Sequence, residues 1–283
     1  MKQKVIAVVG PTASGKTQLA ISLAHKLDGE VVSADSRLVY RGFNIAAAKP
    51  TIGEMDGIPH YLIDIVEPEE NYTAGDYARD AKFEIEKILS KGKVPIVAGG
   101  TGLYFRVLLE HYNLPQVNTD YDLRAKLETK SREELVSELK LLDKLTYEKL
   151  TKDTSKRRIV RIIELIKTLG RPLSEVETKK EPEYDVEWIM PEIPSREWLY
   201  DRINKRVDNM LSQGIVEETK ALLEKHGRIK NLTETIGYKE ILSYLDGEWT
   251  LEKALDKLKQ HTRNYAKRQL TWFRKNPQLK VDI

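Results

Sequence analysis

A chain of 283 residues, 40% hydrophobic and 32% charged, has the length of about two domains and enough apolar side chains to build cores. Its 47 Lys and Arg against 44 Asp and Glu leave a net charge of +3, so total charge carries no case for nucleic-acid binding, which has to come from local clusters. The absence of cysteine excludes disulfides, thiolate nucleophiles and cysteine zinc sites. The start shows no leader-type apolar run, and no segment has membrane-spanning length, so a cytoplasmic location is expected.

The first expected element is a buried parallel strand, Val5 to Val9. Gly10-Pro11-Thr12-Ala13-Ser14-Gly15-Lys16-Thr17 follows, and then a helical pattern of Leu19, Ala20, Leu23 and Leu27. Strand, G-x-x-x-x-G-K-T turn and helix together are the phosphate-binding loop in its proper context. The glycines let backbone N–H groups curl around an anion, and the helix start adds partial positive charge. Lys16 supplies a full charge, and the Thr17 hydroxyl can ligate Mg²⁺. The loop specifies a polyphosphate without saying which one.

Glu30 to Ala34 reads as a second strand running into Asp35-Ser36-Arg37. A carboxylate just past the carboxyl end of a parallel strand shares the ligand crevice of an open α/β sheet, although Asp-Ser is equally good chemistry for a helix N-cap. Arg41 to Pro59 reads as a long loop, and Tyr61 to Val66 as a third strand. Thr73-Ala74-Gly75-Asp76 has capping-box spacing before a helix that buries Tyr77, Ala81, Ile85, Ile88 and Leu89 and stops at Gly92. Val94 to Ala98 is a fourth strand, followed by Gly99-Gly100-Thr101-Gly102 and a helix from Leu103 to Glu110. This second strand–glycine–helix junction points into the same crevice as the first. Thr101 is either a hydroxyl donor to a ligand or the N-cap of that helix.

From Asn118 to about Thr178 the strand patterns give way to charged helices, with a capping box at Ser131 and a stripe of Ile159, Ile162, Ile163, Ile166 and Leu169 closed by Gly170. Lys152 to Arg171 carries seven Lys or Arg against two Asp or Glu, with Lys156, Arg157, Arg158 and Arg161 clustered. That density suits a phosphodiester backbone; a solvated helix face is the alternative. Glu187 to Met190 reads as a strand returning to the sheet. Helices are expected from Ser195 to about Gly214, from Ile215 to Glu224, over Tyr238 to Leu245 and over Thr250 to Asn276. Arg202 and Arg206 share a face of the first. The last has no acidic residue between Gln260 and Lys275, and its Arg263, Lys267, Arg268, Arg274 and Lys275 interleave with Tyr265, Trp272 and Phe273. That pattern fits either RNA or an amphipathic helix whose aromatics are core.

The fold class expected from these elements is α/β, a P-loop NTPase-like parallel sheet core with a helical insertion and a helical C-terminal part. The expected division is residues 1–117, 118–183 and 184–283. The fourth strand ends without an aspartate, and Asp64 inside the third is a poor substitute. Hydrolytic P-loop enzymes use such an aspartate for Mg²⁺, so kinase-like transfer or transfer with pyrophosphate as leaving group fits better than ATP hydrolysis.

The phosphate loop, Asp35-Ser36-Arg37, Val39-Tyr40-Arg41-Gly42, Ala48-Lys49-Pro50 and Gly99-Gly100-Thr101-Gly102-Leu103-Tyr104 resemble the bacterial tRNA dimethylallyltransferase, or IPP transferase, family. So do Thr235-Ile236-Gly237-Tyr238-Lys239-Glu240 and Thr262-Arg263-Asn264-Tyr265-Ala266-Lys267-Arg268-Gln269. The resemblance implies transfer of a dimethylallyl group from dimethylallyl pyrophosphate to N6 of the adenosine 3′ of the anticodon, in tRNAs reading codons that begin with U. It implies Asp35 as general base with Thr101 beside it, and Gly10 to Thr17 with Arg206 or Arg202 at the pyrophosphate. It implies tRNA contacts from Asp35, Ser36, Arg37, Leu38, Thr101, Arg124, Lys156, Arg157, Arg158 and Arg161. Mg²⁺ is the implied cofactor, with Thr17 its ligand, and a monomer is expected. Leu38 stands where the family usually has glutamine. Ala46 and Ala47 replace a usual Gly-Thr, and Asp153 and Ser155 a usual Pro and Asn. A small-molecule kinase using ATP and a nucleotide-gated RNA-binding protein are the competing readings.

Overall fold

The structure, a computed structural model, describes residues 2–110, 112, 115, 117, 119–176, 181 and 183–279. In chain order its elements are β1 (Gln3–Val9), α1 (Lys16–Leu27), β2 (Gly29–Ala34), α2 (Ile52–Met55), β3 (His60–Tyr61), α3 (Ala74–Ser90), β4 (Val94–Gly99) and α4 (Gly102–Leu108). There follow α5 (Tyr121–Glu128), α6 (Arg132–Leu142), α7 (Lys144–Glu148), α8 (Lys156–Leu169) and β5 (Tyr184–Ile189). The chain continues with α9 (Arg196–Ser212), α10 (Ile215–His226), α11 (Lys230–Glu234), α12 (Tyr238–Leu245) and α13 (Leu251–Phe273). Two compact units result, Met1–Glu110 with Pro182–Ile283, and His111–Glu181. The expected limits of the helical insertion, near Asn118 and Thr178, lie outside the described residues.

The α/β unit is built on a parallel sheet of order β3-β2-β4-β1-β5. β4 lies between β1 and β2, so the connection leaving β1 and the one leaving β4 run to opposite sides. That reversal opens a crevice at the carboxyl ends of β1 and β4. The register levels those ends: Val9 pairs with Gly99, and Gly99 with Ala34. Glycine is required at 99, because a Cβ there would stand 2.1 Å from the Ala34 carbonyl oxygen.

Strand periodicity sorts the core onto both faces of the sheet. Val5, Ala7, Val9, Val32 and Val97 pack with Tyr77, Ala81, Ile85 and Ile88 of α3 and Tyr104 and Phe105 of α4. Ile6, Val8, Val31 and Ile96 face Ala20 and Ala24 of α1. A further cluster joins Val39, Tyr40 and Phe43 of the long loop to Ile215, Leu232, Tyr238 and Ile241 of α10 to α12. α3 begins with the expected box: Thr73 accepts from the Asp76 N–H, and the Asp76 carboxylate from the Thr73 N–H.

The third strand is shorter than its sequence implies. Tyr61 to Val66 reads as apolar and extended, yet β3 ends at Tyr61, because Leu62 (φ 61) and Asp64 (φ 55) are left-handed. The chain turns there and hydrogen-bonds the segment after β2 instead, Asp64 N–H to Leu38 O and Ile65 N–H to Val39 O.

The helical unit packs α5 and α6 on α8 around Leu127, Leu135, Leu139, Ile159, Ile163 and Ile166. Ser131 and Glu134 form the expected capping box of α6, and Ser155 caps α8 by accepting from the Arg158 N–H at 3.4 Å. Serine caps about as well as asparagine, so Ser155 gives the helix a sound start.

Candidate active site

The phosphate loop joins β1 to α1. Gly10 (φ 145) and Gly15 (φ 95) take left-handed backbone, and so does Ala13 (φ 64), where a Cβ makes that conformation costly. A bond from α9 supports the strained residue: Arg202 donates from Nε to the Ala13 carbonyl at 2.8 Å. Lys16 is partly buried, and its ammonium turns back onto the Pro11 carbonyl at 2.6 Å. Burial brings its pKa down to about 8; the Asp35 carboxylate opposes that shift and Arg206 adds to it. Arg206, one turn beyond Arg202, is likewise lowered mainly by burial, with Asp35 opposing. Its Nε is buried without a hydrogen-bond partner, as is the Ser14 Oγ. Two desolvated cations and an unpartnered hydroxyl around curled backbone amides are the chemistry of a polyanion cradle. Thr17 is exposed at the start of α1.

Asp35 follows β2 in a turn, with its Oδ1 accepting from the Arg37 N–H at 2.8 Å. No helix starts there, so the N-cap alternative for Asp35 is replaced by an aspartate turn. Thr101 occupies the N-cap position of α4 without capping it by side chain. Its Oγ1 accepts instead from the Ser36 N–H at 3.1 Å, and its own N–H donates to Ala34 O. Ser36, Arg37 and Leu38 complete this half-buried turn, which stitches the ends of β2 and β4 together. Tyr265 of α13 adds to the group. Its phenol is pushed up to about 12, first by burial and then by the Asp35 carboxylate, with Arg37 and Thr101 opposing the shift.

The pattern of basic and aromatic residues along α13 resolves by register.

 Phe273 is 2% exposed and belongs to the sheet core, while Lys267, Arg268, Arg274 and Lys275 are exposed. Arg263 donates to Asn204 Oδ1 at 2.7 Å. Gln269, 5% exposed, has both ends of its amide in use: Oε1 accepts from the Thr12 N–H at 2.8 Å, and Nε2 donates to Gly100 O at 3.0 Å. Reading by residue type passes over Gln269 and treats Tyr265 as one of several aromatics. The available signal is a polar side chain in the buried stripe Thr262, Ala266, Gln269, Phe273.

The Lys49 ammonium pairs with the Asp64 carboxylate and also donates to Asn44 Oδ1 at 2.9 Å. Asp64 is therefore the lysine's counter-ion, anchoring the loop between β2 and β3. Ala46 fits close packing: a Cβ on Gly237 would meet the Ala46 Cβ at 2.6 Å.

Within the helical unit, Glu164 is fully buried, takes two donors from Arg124 at 3.0 and 2.8 Å, and pairs with Arg161 at 2.8 Å. Arg124 and Arg161 thus have a structural partner, whatever else their remaining donors reach. Lys156 donates to the Glu128 carbonyl at 2.8 Å, and Arg157 and Arg158 are exposed at the start of α8.

The parallel sheet and the glycine-rich turn between β1 and α1 define an α/β protein with a P-loop-like core. The family model described as IPP transferase matches residues 38–276. A tRNA dimethylallyltransferase of Pelotomaculum thermopropionicum is 40% identical over 284 residues, covering 99% of this chain and 90% of its own. Among solved structures, the full-length tRNA isopentenylpyrophosphate transferase of Bacillus halodurans has a TM-score of 0.72 at 40% identity, covering 98% of this chain and 88% of that one. A eukaryotic dimethylallyltransferase acting on tRNA has a TM-score of 0.81 at 31% identity, covering 99% and 73%. The chain belongs to the IPP transferase family.

Proposed function

We propose that this chain is a tRNA dimethylallyltransferase that moves a dimethylallyl group from dimethylallyl pyrophosphate to N6 of the adenosine 3′ of the anticodon, releasing pyrophosphate. The observation that carries the reading is the pairing of a loop lined by desolvated cations with a carboxylate. Lys16 and Arg206 are both desolvated, Arg206 Nε has no partner, and Asp35 is the acidic group that both feel. Family membership and the names of the relatives support the same reaction.

In this mechanism the backbone amides of Gly10 to Thr17, Lys16 and Arg206 bind the pyrophosphate of the donor. The C1–O bond of the allylic group breaks as the N6–C1 bond forms, and the electron pair of the broken bond leaves on pyrophosphate, where the cations stabilise it. Asp35 accepts the proton that N6 loses, which makes a weak amine nucleophile competent. Thr101 holds the Asp35 turn through the Ser36 N–H. The adenine leaves its stack to reach the crevice, at modest cost in a single-stranded loop. Mg²⁺ would be held by the Thr17 hydroxyl at the exposed start of α1, and would supply further charge neutralisation to the leaving group. Basic residues of α8, led by Arg157 and Arg158, serve the RNA backbone.

The test is incubation with unmodified tRNA and labelled dimethylallyl pyrophosphate. Label on RNA with equimolar pyrophosphate is expected. ATP consumption without label on RNA would favour a kinase, and RNA retention without either reaction a binding protein.

A further inference from the structure

The reaction above needs two loops at a fixed spacing. One follows β1 and cradles the leaving group; the other follows β4 and carries Thr101, which holds the Asp35 turn. Neighbouring strands do not by themselves fix the loops that leave them. A third element does so in this fold. On α13, Tyr265, Gln269 and Trp272 follow one another at spacings of four and three, so they form one stripe of the helix. Tyr265 lies near Thr101, which opposes the rise of its phenol's pKa. Gln269 meets Thr12 and Gly100. Trp272 lies over Gly102, where a Cβ would stand 2.3 Å from its ring.

Gln269 is the member that touches both loops. Its amide is buried, and each end has one strong hydrogen bond to a backbone group of a different loop. The neutral amide suits the task, since it offers an acceptor to the Thr12 N–H and a donor to the Gly100 carbonyl at once. A carboxylate would lose the donor, and a lysine the acceptor. The glycine opposite is equally constrained. A Cβ on Gly100 would lie 2.1 Å from Gln269 Nε2 and 3.5 Å from the Gly10 carbonyl oxygen, so this residue sits between the phosphate loop and the amide. Nothing larger than hydrogen fits while the bridge is made.

We infer that Gln269 is a positioning residue, a cross-brace that sets the distance between the pyrophosphate cradle and the Thr101–Asp35 side where the acceptor is deprotonated. It touches no reacting atom. It acts through the Thr12 and Gly100 backbones, and the inference rests on the transfer reaction proposed above. Reactions between two bound substrates are sensitive to such spacing, and a displacement of about 1 Å can lower the rate on the order of a hundredfold.

Gln269→Met keeps the length and apolar volume of the side chain and removes both hydrogen bonds. Gln269→Glu retains an acceptor for Thr12 alone. Gly100→Ala attacks the brace from the other side. With full-length protein, kcat for prenyl transfer is expected to fall about 10- to 100-fold in Gln269→Met and Gly100→Ala. KM for tRNA should stay within about twofold, because the residues that grip RNA are untouched. The brace is also read without catalysis. Calorimetry with inorganic pyrophosphate should show affinity weakened about fivefold or more in Gln269→Met, with the melting temperature lowered by only a few degrees, as loss of two internal hydrogen bonds implies. Unaltered pyrophosphate affinity in both variants overturns the brace. So does a loss of kcat, tRNA affinity and melting temperature together in both, which is the signature of a purely structural side chain. If wild-type protein transfers no prenyl group while Gln269→Met still weakens pyrophosphate binding, the brace stands and the proposed reaction falls.

Discussion

The Asp35 carboxylate lies close enough to Lys16 to oppose the lowering of the lysine's pKa by burial. Asp35 keeps one carboxylate oxygen occupied by the Arg37 N–H, which orients the group. Replacing it with asparagine preserves that acceptor and removes the base. Steady-state kinetics should show kcat falling by roughly two to four decades, with tRNA binding retained; turnover within a factor of three of wild type would remove Asp35 from the mechanism. Lys16 carries a pH dependence whose sign follows from its burial. In the free protein its pKa is about 8, below the usual lysine value. A bound pyrophosphate favours the charged ammonium and raises that pKa, so binding takes up a proton around and above pH 8. Affinity is therefore full below about pH 8 and declines as pH rises through that value. Calorimetry at pH 7 and pH 9 should find pyrophosphate bound about tenfold more weakly at the higher pH. In Lys16→Arg the side chain stays charged throughout, and the same comparison should be nearly flat.

Among the elements, α8 and α13 show how a basic helix divides its charges between structure and solvent. On α8, Arg161 and the neighbouring Arg124 are tied to the buried Glu164, whereas Arg157 and Arg158 are exposed in the first turn. Replacing Arg157 and Arg158 with alanine should weaken tRNA binding and reduce the slope of log K against log salt by up to about one per residue, read from filter binding across a salt series. An unaltered slope would return that turn to the role of a solvated face. On α13 the composition alone leaves RNA stacking and core packing open. Register separates them: Phe273 and Ala266 are core, Gln269 and Tyr265 face the crevice, and Lys267 and Arg268 face solvent.

At the scale of the whole molecule, the α/β unit and the helical unit each have their own core, and the loop proposed to bind pyrophosphate belongs to the first alone. Adding pyrophosphate should slow amide hydrogen exchange over Gly10 to Thr17 and the start of α1. Exchange in α5, α6 and α8 should be unchanged. Protection spread evenly over both units would contradict a cradle confined to one.

Much of the site was legible along the chain because its chemistry is local. A glycine-rich turn between an apolar strand and a helix specifies an anion cradle by its own backbone geometry, and capping boxes at Thr73 and Ser131 need only three residues of context. The order of helices and strands follows from their periods, so the α/β class, the helical insertion and the carboxylate at Asp35 were all within reach of the sequence. Tertiary structure alone decided which ends meet. It set β4 between β1 and β2, ended β3 at Tyr61 where two left-handed residues turn the chain, and brought Arg206 to the cradle. It also joined Thr12 to Gln269 across 257 residues of chain. No local pattern encodes such a pairing, because a buried amide finds its partners through the packing of whole elements and not through its neighbours in sequence.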